Sequence, residues 1–173
     1  MIRALALLCF ASALSVLAGC SAEEKAPPPA PFALTEEAIG RYCGMNVLGH
    51  EGPKGQTILT QIPEPIWFSS ARDAIAFTLL PDEPKTIGAI YVSDMAVAPS
   101  WAEPGAENWI DARTAFFVIG STQRGGMGVQ ETVPFSTQQA ADDFAAQHGG
   151  TVVRFEDIPA DYVLGSDDVT SAT

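Results

Sequence analysis

The 173-residue chain sets 9 Lys+Arg against 21 Asp+Glu, a formal net charge of −12 at pH 7. That balance excludes nucleic acid as a partner, because phosphates need a basic face, and it disfavours a surface pressed onto anionic lipid. It suits either a solubilising surface or an electrostatic match to a basic partner face.

Arg3 precedes the apolar run "ALALLCFASALSVLA", which ends in Leu17-Ala18-Gly19-Cys20, small residues just ahead of a cysteine. The run is shorter than the roughly 20 residues that span a bilayer. Residues 1–19 therefore read as a cleaved lipoprotein signal peptide and Cys20 as the acylated first residue of the mature chain. Buried acyl chains, at about 0.8 kcal/mol per methylene, would hold the protein on a membrane surface of the cell envelope. Residues 20–39, rich in Pro, Ala and Glu, read as a flexible to semi-rigid linker. A single domain is expected over residues 40–165, followed by a disordered tail over 166–173.

Within the domain, "QTILTQI" and "EPIWFSS" read as two short strands. Ser69 or Ser70 caps the helix "ARDAIAFTLL", which Pro81 stops, and "KTIGAIYVSDM" is the next strand. Residues 98–110 form a connection containing Pro, Gly and Trp. "ARTAFFVIGS" and "QETVPFS" again read as paired strands, Ser136 caps "TQQAADDFAAQH", and "TVVRFEDI" is the last strand. At a shift of 67, Phe68-Ser69 falls on Phe135-Ser136, Ala74 on Ala141 and Phe77 on Phe144. The expectation is an α+β domain of two ββαβ-like repeats, about 40–97 and 112–160.

Catalytic motifs are missing from the sequence: two histidines, no H-x-x-x-H, no G-x-S-x-G, no Walker loop, no C-x-x-C. Acids are plentiful, but no pair has a spacing that favours acid/base work. What remains is sulfur. Cys9 leaves with the leader and Cys20 takes the lipid, so Cys43 is the one free thiol and no intramolecular disulfide can form. Thiolate and thioether are soft ligands that select Cu(I) and satisfy it at low coordination number. The mature chain offers Cys43 with Met45, Met95 and Met127. Met45 is two residues from Cys43 across Gly44, Met127 sits between glycines in "RGGMGV", and Met95 ends a strand. His50 reads as a loop residue that is also a competent copper ligand, and His148 as the closing residue of a helix, where a cation suits the dipole. Against these stands ordinary packing, since cysteine is among the most buried residue types and methionine a common core filler.

The chain resembles the NosL lipoproteins, copper chaperones of nitrous oxide reductase maturation. The resemblance rests on Leu17–Cys20, "YCGMNV" at 42–47, "IWFSSARDAIAF" at 66–77, "AIYVSDM" at 89–95, "GGMG" at 125–128 and "QHGGTVVRFEDI" at 147–158. It implies a membrane-anchored, periplasm-facing Cu(I) carrier, placed at the outer membrane, that serves apo nitrous oxide reductase and its membrane-bound maturation machinery. Its cargo would go to the reductase's copper–sulfide cluster. The resemblance also implies two ββαβ units related to a domain of organomercurial lyase, and it carries the family's cysteine onto Cys43 and its methionines onto Met45 and Met127. Some members have C-x-x-C-G-M; the first of those positions is Gly40 here, which removes a dithiolate site. A rival expectation is an envelope interaction module without metal, in which Cys43 is buried and inert. A lyase-like enzyme is weaker, because one free thiol is too few for carbon–mercury cleavage.

Overall fold

The computed structural model describes residues 27–165; the expected leader, the expected lipidation site Cys20 and the expected tail lie outside the described residues. Two strand–strand–helix–strand units follow one another, as the repeat predicts. In the first, β1 (Gly55–Leu59) and β2 (Ile66–Phe68) precede α1 (Ala71–Leu79) and β3 (Ile87–Ser93). A short β4 (Trp109–Asp111) then joins the same antiparallel sheet, whose order is β2-β1-β3-β4. In the second, β5 (Phe116–Ile119) and β6 (Val133–Phe135) precede α2 (Gln138–His148) and β7 (Thr151–Arg154), ordered β6-β5-β7. In both units the first strand is central, and the helix returns the chain to its free edge.

Sequence chemistry explains the helix ends. Ser70 has extended backbone and accepts from the Asp73 amide, which fixes the start of α1; such caps are worth about 1 kcal/mol. In α2 the cap is Thr137, which accepts from Ala140, rather than Ser136. Ser70 and Thr137 stand in the same relation as the repeat, 67 residues apart. Ala74 and Ala141, matched by that shift, are both fully buried where each helix meets its sheet. The principal core joins the units: Phe68, Phe77, Ile90 and Val92 of the first pack with Phe117, Ile158 and Val163 of the second. α3 (Ala160–Leu164), for which the sequence offered no pattern, delivers Val163 to it.

Three further expectations change. The connection over 98–110 contains the start of β4, and the end of "TVVRFEDI" turns into a 3-10 turn, Phe155–Asp157. The linker expected to extend to residue 39 is docked in its described part. Gln56, fully buried, accepts from Phe32 N and donates to Phe32 O, both at 2.9 Å, and the Tyr91 hydroxyl donates to Pro29 O at 2.7 Å. Gln56 pairs with Tyr91 across β1 and β3, on the sheet face opposite α1, so one face is covered by a helix and the other by this segment. Leu34 is buried with Ala38 and Val47, and the ordered domain starts before residue 40.

Candidate metal centre

Residues 39–46 form a tight hairpin closed by an Ile39–Asn46 bridge. Gly40 N donates to Met45 O and Gly44 N to Gly40 O, each at 2.9 Å. Gly44, at φ +66, makes the reversal that puts Cys43 at the tip. The hairpin is tied down by Arg41 N donating to Trp67 O of β2 at 2.8 Å and by an Arg41–Glu83 ion pair at 3.1 Å. Tyr42 packs its ring 5.6 Å from Phe68.

Cys43 is partly exposed, not buried as the rival expectation has it. Its Sγ lies 3.1 Å from Ser69 Oγ and 3.9 Å from Met45 O. Ser69 is itself buried, one residue before the α1 cap, so β2 and α1 fix the hydroxyl that meets the sulfur. Gly40 leaves the thiol its room: a Cβ there would sit 2.6 Å from Cys43 Sγ and 2.8 Å from Ser69 Oγ. Met45 is 45% exposed, where a core-filling methionine would be buried.

Met127 is 44% exposed at the tip of a second hairpin, bridged Arg124–Gln130 and turned by Gly128 N donating to Gly125 O at 2.8 Å. This loop rests on the segment just after Cys43 and Met45. A Cβ on Gly126 would lie 2.5 Å from His50 Cβ and 2.8 Å from Glu51 O, so only glycine permits the approach. His50 closes the 3-10 turn Val47–Gly49 and is half-buried against the Met127 loop. The Met127 loop thus packs against His50, which the 3-10 turn connects to the hairpin that carries Cys43 and Met45.

Met95 and His148 are held elsewhere. Met95 packs into the second unit's cluster with Val133 and Phe135, its amide donating to Pro134 O at 2.9 Å. His148 does close α2; its Nδ1 is 3.3 Å from Gln123 Nε2 and its ring 4.5 Å from Phe144. Among the described residues, no group of three or more His, Cys, Asp or Glu is arranged to hold a metal ion. The exposed sulfur of Cys43, Met45 and Met127 is of the soft kind that suits Cu(I).

Sequence reasoning missed Ser69 as the thiol's neighbour and Glu131 as a buried acid beneath the Met127 loop. Glu131 Oε1 accepts from Arg72 N at 2.8 Å, Thr132 N at 2.9 Å and Ser70 Oγ at 3.1 Å, while Oε2 has no hydrogen-bond partner. Burial pushes its carboxyl up to about 7 despite those three donors, with Asp73 adding to the rise. Lys54, also buried, donates from Nζ to His50 O; burial pulls its ammonium down to about 8 against the opposing pull of Glu131 and Glu51. Nothing in "QETVPF" marks its acid as buried, because a lone Glu beside a strand is normally at the surface.

A family model described as NosL matches residues 31–163. The chain belongs to the NosL family. The copper-binding lipoprotein NosL of Achromobacter cycloclastes is 45% identical over 155 residues, 89% of this chain and 80% of that protein. The copper-binding lipoprotein NosL of Stutzerimonas stutzeri is 32% identical over 143 residues, 82% and 73% of the two chains. Among solved structures, the crystal structure of the copper chaperone NosL from Shewanella denitrificans matches with a TM-score of 0.71 at 36% identity. It covers 76% of this chain and 97% of that one. The solution structure of apo-NosL from Achromobacter cycloclastes gives 0.50 at 44% identity, covering 68% and 94%. The single-domain α+β architecture is thus that of NosL structures, and these relatives are named for a metal they bind rather than for a reaction.

Proposed function

We propose that this NosL chain is a Cu(I)-binding metallochaperone, lipid-anchored through Cys20 in the cell envelope and facing the periplasm from the outer membrane. Its cargo would go to apo nitrous oxide reductase, through the membrane-bound maturation machinery, for the copper–sulfide cluster. The observation that carries the copper reading is a partly exposed free thiol together with two exposed methionines, Met45 two residues away and Met127 on the loop that packs against His50. Cys43 as thiolate neutralises the ion's charge, and thioethers add neutral soft donors that match Cu(I) over harder cations. His50, in contact with the Met127 loop, is a reserve donor; Met95 and His148 rank below it, because other contacts hold them. A carrier must also release its cargo, and an exposed site with two or three ligands leaves a position for an incoming donor of the recipient.

Copper titration of the apo chain under reducing conditions, against a competing Cu(I) chelator, tests the assignment. Cys43→Ser should remove tight binding, and retention of the original affinity would overturn the reading. Met127→Leu conserves volume at an exposed site, so it should leave stability unchanged while weakening Cu(I) binding by roughly tenfold, as for one lost soft donor. An unchanged affinity would strike Met127 from the ligand set.

A further inference from the structure

At the end of the first sheet remote from Cys43 lies an open groove of about 890 Å3. Its walls are the docked proline segment, including Pro27, Pro29 and Phe32, and the tip of the β1–β2 turn with Ile58, Ile62 and Ile87. None of the described residues lining it is charged, in a chain with 21 acids. Phe32 and Ile62 stand 42% and 46% exposed at its rim. The strand register places it: Leu59 and Ile87 pair at the groove end, while Gly55 pairs with Phe68 and Val92 at the end where Ser69 meets the thiol. The length of β1, about 13 Å, separates the two.

The chain outside the described residues decides what covers the groove. We propose that this face is laid against the neutral phospholipid bilayer in which the anchor sits, with acyl chains meeting the groove and the thiol end turned toward water. The proposal rests on lipidation of Cys20. From Cys20 to Pro27 the chain can span about 25 Å at full extension, so the groove cannot move far from the bilayer surface. The proline segment cannot swing free of it either, because the Gln56 and Tyr91 hydrogen bonds hold Phe32 and Pro29 on the sheet. An uncharged, apolar surface on an otherwise acidic molecule is also the one that meets acyl chains without burying a charge. The contact is apolar, so it should resist salt.

The test uses the lipidated full chain, reconstituted in phosphatidylcholine vesicles carrying nitroxide-labelled acyl chains. In a Cys43→Ser background, Ile62→Cys and Val97→Cys each accept one environment-sensitive fluorophore; Val97 is 67% exposed, just beyond the thiol end of β3. Quenching at position 62 should exceed that at 97 by roughly twofold or more, as expected for a face buried at the acyl boundary, and should persist at high salt. Equal quenching, or stronger quenching at 97, in chains that float with the vesicles would overturn the orientation. Chains that take a second label at Cys20 and fail to float would overturn the anchoring reading, and this proposal with it.

Discussion

Ser69 is the residue on which the thiol's geometry depends most directly. Its buried hydroxyl sits 3.1 Å from Cys43 Sγ, while the sulfur's other polar neighbour, Met45 O, is at 3.9 Å. A hydroxyl donates to a thiolate, and hydrogen bonds to charged groups are worth about 1.5–3 kcal/mol. Ser69→Ala should therefore weaken Cu(I) binding by at least about tenfold, with Ser69→Thr restoring much of it through the retained hydroxyl. Competition titration of the three chains checks this, and an Ala variant that binds as the parent does would show that the hydroxyl is only packing. Cys43 was legible as a candidate from cysteine arithmetic, on the expectation that leader and lipid account for the other two. Ser69 was not, since its contact spans 26 residues and exists only after β2 has placed the hairpin. Which methionines are exposed was likewise a property of the folded loops: Met45 and Met127 are both exposed, while Met95, the reserve candidate, is packed among Val133 and Phe135.

At the scale of elements, the two helices and the strand pairs around them followed from hydrophobic periodicity and turn residues, which are local signals. β4 did not, because its three residues become a strand only by pairing Trp109, Ile110 and Asp111 with β3. The segment before residue 40 misled for a related reason. Its Pro and Ala content describes a spacer, yet one buried side chain elsewhere, Gln56, holds both polar groups of the Phe32 backbone. Gln56→Leu conserves bulk and removes both bonds, at a cost near 2 kcal/mol if each contributes about 1. The segment should then detach while the two units stay folded. Hydrogen exchange at Phe32 should rise by an order of magnitude or more and protease should cut near residues 30–33, while exchange in β5 is unchanged. Unaltered protection at Phe32 would mean that Leu34 and the Tyr91 bond suffice to hold it.

For the whole molecule, the buried pair of Glu131 and Lys54 imposes a pH profile of stability that composition does not foretell. Glu131 links the units: it sits just before β6, yet its carboxylate takes the Arg72 amide and the Ser70 hydroxyl at the start of α1. Its carboxyl is raised from 4.5 to about 7, chiefly by burial. Between those values the folded chain keeps a proton that the unfolded chain has released, so unfolding sheds a proton and rising pH favours it. The stability lost across that window is at most about 3 kcal/mol, from 1.36 kcal/mol per unit. Lys54 acts on the other side. Its ammonium is lowered from 10.5 to about 8, again mainly by burial, so above pH 8 the unfolded chain holds a proton that the folded chain has lost, and stability recovers toward pH 10.5. The apo chain should thus be least stable between about pH 7 and 8, a dip superposed on the titration of the surface acids. Denaturant unfolding from pH 4.5 to 10 on the parent and Glu131→Gln isolates it. The variant keeps an acceptor for the α1 amide but cannot ionise, so the fall between pH 4.5 and 7 should vanish. Its alkaline rise should begin at lower pH, because Glu131 no longer holds the Lys54 charge up. Parallel profiles for the two chains would mean that water or backbone movement solvates the carboxylate, and that the link between the units does not depend on its charge.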